Sequence, residues 1–182
     1  VPTHASLSST RTISTPSVDP GERVSVDTII VVSNGSAGVH LIEQFDPPVM
    51  SVSVEQVLID NETVPVNDIE LKELNESRLS VGVAADSLST GTSVKIRYTV
   101  VTESGTVRSY SINGTVTNGS KQPVSVSGDT TFNSTMSVTS QYDGNDDGQI
   151  TASELGAAGL DFAQGRLTAT ELGEVGLAFA QS

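Results

Sequence analysis

Alternation of apolar and polar residues with a period of two recurs through residues 1–139, and this pattern limits the chain to a mainly β fold. The clearest run has an apolar residue at every second position, at Val94, Ile96, Tyr98 and Val100. Such a strand buries one face and leaves the other in solvent. Gly, Pro, Asn and Asp interrupt the runs at intervals of roughly 8 to 15 residues, which is the spacing of a sandwich or a barrel. The sequence therefore predicts a two-sheet β-sandwich.

This pattern predicts about seven to nine strands. The clearest cover residues 24–33, 39–45, 50–58, 69–74, 79–84, 93–102, 107–117, 124–127 and 130–138. The segment 1–14 also alternates, with Leu7, Ser9, Arg11 and Ile13 on one side. This segment is either the first or edge strand of its own domain, or a donor strand that pairs with the edge of a neighbouring copy. Head-to-tail donation of this kind would build filaments.

The composition excludes several classes of function. The formal net charge is -13, with 22 acidic residues against 9 basic ones, and the basic residues form no cluster, so we expect no nucleic-acid partner. Cysteine is absent, so a metal would be held by oxygen ligands, which select hard cations. No apolar stretch reaches the length of about 18 residues that a membrane span needs, so we expect none. High acidity with little lysine also favours a salt-rich environment.

Six of the eight asparagines stand in the pattern Asn-x-Ser/Thr, which is the acceptor for N-glycosylation. These residues are Asn34, Asn61, Asn75, Asn113, Asn118 and Asn133. Turn formation is the alternative interpretation, because Asn-Gly-Ser and Asn-Gly-Thr are also good turn sequences. The chain begins at Val1 without a methionine, so an export signal would either have been removed or not be part of this sequence. We therefore expect an exported glycoprotein, secreted or held at the cell surface.

Residues 143–154 have the oxygen-rich pattern of an EF-hand calcium loop. The predicted ligands occupy loop positions 1, 3, 5, 7, 9 and 12, and they are Asp143, Asn145, Asp147, Gln149, Thr151 and Glu154. Gln149 would offer its backbone carbonyl, Thr151 its hydroxyl or a bridging water, and Glu154 both carboxylate oxygens. An acidic turn that caps a helix is the alternative. It leaves the crowded carboxylates without a neutralising charge, so we expect one Ca²⁺ per chain.

An internal duplication follows the loop. Residues 148–163 and 165–180 are identical at ten of 16 positions. The second copy has Leu160, Phe162 and Gln164 where the first has ligands, so we expect it to bind no calcium. Both copies predict helices with one apolar face, formed by Leu155, Ala158, Gly159 and Phe162 in the first and by Leu172, Val175, Gly176 and Phe179 in the second.

Two further expectations concern the surroundings of the loop. Leu167 stands where Ile150 stands in the first copy, and the two would pair across a short β-bridge. Residues 135–142 are predicted to form a strand, so no helix is expected to enter the loop. The alternation stops near residue 140, which divides the chain into a sandwich over 1–140 and a helical hairpin over 141–182.

Two resemblances follow from these motifs. The turn at Val18-Asp19-Pro20-Gly21-Glu22 and the segment 88–102 resemble Ig-like repeats of archaeal and bacterial surface proteins, which implies an Ig-like or jelly-roll-type sandwich. Residues 141–182 resemble dockerin modules, which implies a calcium-dependent contact with a cohesin-like partner. The absence of a second calcium loop departs from the dockerin pattern and puts the ordinary two-fold binding of a dockerin to a cohesin in doubt.

No pattern in the sequence predicts catalysis. His4 and His40 are the only histidines, and neither has an acidic cluster beside it, so we expect neither a Ser/His/Asp triad nor a zinc site. We therefore expect no enzyme. Two functions remain: a calcium-dependent structural subunit that assembles with itself at the cell surface, by filament or tubule formation through donor-strand exchange, or a dockerin-type module that binds a cohesin-like protein or a surface ligand.

Overall fold

A computed structural model describes residues 6–35, 38–65, 69–84, 88–118 and 123–182. Residue contacts divide the chain into two units, Val1–Ser134 and Thr135–Ser182, so the boundary precedes the expected one at residue 140. Each unit has its own hydrophobic core. Among the described residues, no helix is both long enough and apolar enough to cross a membrane.

In its described residues, the first unit contains thirteen strands. In chain order they are β1 (Ser6–Ile13), β2 (Ser17–Val18), β3 (Arg23–Asn34), β4 (Val39–Asp46), β5 (Ser51–Ile59), β6 (Glu62–Thr63), β7 (Ile69–Asn75), β8 (Arg78–Val83), β9 (Ser93–Val101), β10 (Arg108–Asn118), β11 (Pro123–Ser125), β12 (Ser127–Gly128) and β13 (Thr131–Ser134). The strands predicted between residues 24 and 117 are all present, with small shifts at their ends. The strand predicted over 130–138 ends at Ser134.

The strands form two sheets. One has the order β12-β1-β3-β9-β5-β6 and the other the order β2-β13-β10-β4-β8-β7, with β11 paired to β10. Inward-facing residues of both sheets belong to one buried cluster, in which the rings of Tyr98, Tyr110 and Phe132 are fully buried. The two sheets therefore pack face to face, and the predicted two-sheet, mainly β architecture is confirmed.

The N-terminal segment belongs to its own domain, so the donor-strand interpretation of residues 1–14 is wrong for the part that the structure describes. β1 pairs antiparallel with β3 along its whole length, from Ser6 opposite Asn34 to Ile13 opposite Val26. Its alternate residues Leu7, Ser9, Arg11 and Ile13 are all buried. Residues 1–5, including His4, lie outside the described residues.

A buried ion pair explains why β1 is held in place. The guanidinium of Arg11 donates to both carboxylate oxygens of Glu43 on β4, at 3.2 and 2.5 Å, and both side chains are fully buried. The same guanidinium donates to the carbonyls of Ile112 and Asp129, and Thr28 donates to Glu43. Because Arg11 lies in one sheet and Glu43 in the other, this group, here named the inter-sheet ion pair, joins the two layers.

The second unit contains three helices: α1 (Val138–Tyr142), α2 (Ala152–Ala163) and α3 (Ala169–Gln181). The expectation that residues 135–142 form a strand is wrong, because α1 enters the loop. Its N-cap is Ser137, whose hydroxyl accepts from the N–H of Ser140, and Tyr142 donates to Asp161 of α2 at 2.8 Å. The two predicted helices of the hairpin are present.

Candidate metal centre

The backbone of residues 143–154 makes the turn that the calcium-loop pattern requires. Asp146 and Gly148 have positive φ angles of 55° and 78°, and glycine adopts this conformation most easily. The chain then leaves the loop at Thr151, which is the N-cap of α2. Gly148 therefore stands at a sharp turn of the backbone.

Side chains at the two ends of the loop are hydrogen-bonded within the loop. The carboxylate of Asp143 accepts from the backbone N–H groups of Asp147 and Gly148, at 3.2 and 2.8 Å. Glu154 reaches back to the start of the loop, where its Oε1 accepts from the N–H of Gly144 at 2.8 Å. These bonds bring the first and last predicted ligand residues against the same short stretch of backbone.

Further hydrogen bonds join residues in the middle and at the end of the loop. The side-chain amide of Asn145 donates to Asp147 at 2.7 Å, and the other carboxylate oxygen of Asp147 accepts from the N–H of Gln149 at 2.8 Å. Thr151 donates its hydroxyl to Glu154 at 2.8 Å. In the described part of the chain, no three acidic or histidine side chains converge tightly enough to form a metal cluster. The predicted ligands thus share one loop, while their carboxylates bond to backbone groups.

The donor set fits a hard divalent cation. All six predicted residues offer oxygen atoms, three of them are carboxylates, and the loop has no basic side chain, which is the chemistry that Ca²⁺ selects. Asp143, Asn145, Asp147 and Glu154 are the side chains that would hold it, with Gln149 and Thr151 completing the shell.

Glu154 also closes a capping box. Its Oε2 accepts from the backbone N–H of Thr151 at 2.7 Å, while the Thr151 hydroxyl accepts from the N–H of Glu154. Hydrogen bonds from the Thr151 backbone, the Thr151 hydroxyl and Gly144 lower the pKa of Glu154 below its usual 4.5. Thr168 and Glu171 form the same box at α3, and the Thr168 hydrogen bonds lower the pKa of Glu171.

Beneath the loop lies a small core. Ile150, Ala158, Leu167 and Val175 are buried together, and Tyr142 of α1 packs against them. Ile150 and Leu167 belong to the same buried cluster, but neither residue lies in a strand or bridge, so the expected β-bridge between them is wrong. The expectation that Phe162 and Phe179 complete the buried faces is wrong, since they are 43% and 38% exposed. Both lie in the last turns of their helices.

The possible glycosylation acceptors lie in the sandwich. The exposed ones are Asn34, Asn61, Asn75, Asn113 and Asn133. Asn118 is only 8% exposed, which makes it the least accessible of the six to a modifying enzyme. Two residues of its acceptor pattern, at 119 and 120, and one of the pattern at Asn34, at 36, lie outside the described residues.

Comparison of the sequence with known families and with curated proteins found no match. The fold is similar to that of solved pilus proteins. The full-length major pilin SpaD of Corynebacterium diphtheriae superimposes with a TM-score of 0.55 at 9% identity, over 68% of this chain and 34% of that one. The pilus backbone protein RrgB of Streptococcus pneumoniae gives a TM-score of 0.51 at 12% identity, over 63% and 32%. This chain thus spans about a third of the length of these proteins and shares their sandwich fold.

Proposed function

We propose that this chain is an extracellular structural subunit that assembles with other copies of itself at the cell surface, in a calcium-dependent manner. The observation that carries the proposal is the sandwich fold, which is similar to that of subunits named as a major pilin and a pilus backbone. The inter-sheet ion pair is consistent with a structural role, because it joins both layers of the sandwich through the buried side chains of Arg11 and Glu43.

Calcium dependence rests on the loop of residues 143–154. Binding would neutralise carboxylates that otherwise repel one another, and it would stabilise a helical unit whose core has only four buried apolar residues. The second copy of the repeat lacks the acidic ligands. The stoichiometry is therefore one Ca²⁺ per chain.

Light scattering tests this function directly. The intact chain in millimolar calcium is expected to form particles of several subunits, and excess chelator should return it to the monomer. Magnesium at the same concentration is the control for charge screening. A chain that remains monomeric in calcium at high concentration would contradict the proposal.

A dockerin-type binding module is the second candidate, because the duplicated helices expose equivalent apolar residues. Leu160 and Leu177 are 59% and 60% exposed, and Phe162 and Phe179 are 43% and 38% exposed. Such residues would contact a cohesin-like protein or a surface ligand. This candidate predicts a chain that stays monomeric in calcium, and whose binding to that partner is lost when Leu160 and Leu177 are both changed to Lys.

A further inference from the structure

The structure separates the asparagines of the pattern Asn-x-Ser/Thr by their positions in the backbone. Asn61 has a positive φ of 71° between β5 and β6, and asparagine is among the residues that tolerate this conformation. Asn75 stands where β7 turns into β8, and its side chain accepts from the N–H of Ser77 and donates to Glu73, both at 2.9 Å. Turn formation therefore accounts for these two asparagines.

Asn113 has a different position, because it lies inside β10 and not at a turn. It is opposite Gln44 of β4, and Gly114 and Thr115 continue the same antiparallel pairing. The side chain of Asn113 is exposed. Residues two apart lie on the same face of a strand, so Asn113 and Thr115, which define the acceptor pattern, share one face. Turn formation does not explain the pattern at this position.

An open groove of about 780 Å³ lies beside Asn113 and is here named the Asn113 groove. Gln44 is opposite Asn113 on one side and Arg78 of β8 on the other, so these three side chains form a row across three strands. The guanidinium of Arg78 lies 3.3 Å from the carboxylate of Glu73, and Asp46 also lines the groove. Amide, guanidinium and carboxylate groups supply both donors and acceptors, and the hydroxyl groups of a sugar require both.

We propose that Asn113 carries an N-linked glycan whose first sugars lie in the Asn113 groove. The donor is a sugar activated as a phosphate ester at its anomeric carbon. The amide nitrogen of Asn113 forms a bond to that carbon and loses one proton, while the bond from the carbon to the phosphate oxygen breaks and the phosphate leaves with the electron pair. This modification requires neither calcium nor self-assembly, so it is independent of the proposed function.

Mass spectrometry of the intact chain, exported from cells that N-glycosylate their secreted proteins, tests the site. Asn113→Gln should remove the mass of one glycan, and Asn75→Gln, the matched control in a turn, should remove none. Thr115→Ala should lose the same glycan although Asn113 is retained, whereas Thr115→Ser should keep it, because serine also satisfies the pattern. A mass that is unchanged by Asn113→Gln, or lowered by Asn75→Gln, would overturn the assignment.

Urea unfolding of the glycosylated chain and of the bare chain, made in cells that lack N-glycosylation, tests the groove. The glycan should raise the midpoint of unfolding, and a Gln44→Ala, Arg78→Ala double variant should lose at least about half of this increase, because hydrogen-bonding partners of the sugars are removed. Equal increases in both backgrounds would overturn the groove contact. An exported chain that is bare at Asn113, but whose groove binds free glycan released from other proteins of the same cells, would overturn covalent attachment.

Discussion

At the scale of single residues, the inter-sheet ion pair is the most consequential feature of the sandwich. Arg11 and Glu43 are both fully buried, and burial raises the pKa of Glu43 although Arg11 and Thr28 act to lower it. A charge left alone in such a place costs far more than an exposed charge that loses its partner. The pair therefore disfavours any packing of β1 that would leave Arg11 or Glu43 buried without its partner, even if the pair itself adds little to the free energy of unfolding.

Glu43→Gln should lower the free energy of unfolding by about 3 to 5 kcal/mol, because Arg11 then stays buried without a countercharge. Asp27→Asn is the matched control: Asp27 pairs with Lys95 and Arg97 on the solvent face, and its loss should cost about 1 kcal/mol or less. Urea unfolding followed by the strand signal in circular dichroism measures both. Similar losses for the two variants would contradict this account of Glu43.

A second residue-scale prediction uses the duplication as its own control. Glu154 and Glu171 close identical capping boxes, but only Glu154 belongs to the predicted calcium loop. Glu154→Gln should reduce calcium affinity in calorimetry at least about 100-fold, because it removes a charged bidentate ligand. Glu171→Gln should leave both the affinity and the stoichiometry of one unchanged. Two ions per intact chain, or equal effects of the two variants, would count against this assignment.

At the scale of elements, the helices α2 and α3 depend on their capping boxes. The pKa values of Glu154 and Glu171 are lowered in the folded state, so each carboxylate stabilises its helix above its usual pKa of 4.5 and loses this effect as the pH falls through the lowered value. In chelator, the helical signal in circular dichroism should therefore decline as the pH is lowered below about 4.5. The Glu154→Gln, Glu171→Gln double variant should show a flatter profile. A helical signal that grows on acidification would refute this.

An element could be predicted from the sequence when the interactions that form it are between residues close together in the chain. The period of two is a local pattern, so it predicts strand positions, including the alternation from Leu7 to Ile13. α1 was missed because its five residues, Val138–Tyr142, include β-prone Val, Thr and Tyr, and the helix depends on the Ser137 cap and on contacts with α2 and α3. The burial of Arg11 could not be predicted, since its partner lies 32 residues away in the other sheet.

At the scale of the whole molecule, the order of the strands in each sheet is the feature that the sequence does not reveal. The order of strands in the sheet places β7 at an edge, and this order depends on contacts between distant parts of the chain. The loop of residues 143–154 was different, because twelve consecutive residues contain its turn, its oxygen donors and its helix cap. The pattern of a candidate site within one loop is visible in the sequence, whereas the position of a strand in its sheet requires the fold.

The inter-sheet ion pair also sets an order of events during synthesis. Arg11 is made early, but it donates to the carbonyl of Asp129, 118 residues later in the chain. Until that residue has left the ribosome, the arginine lacks part of its burial site and β1 lacks its β12 neighbour. The sandwich therefore completes its core only when nearly all of it has been translated.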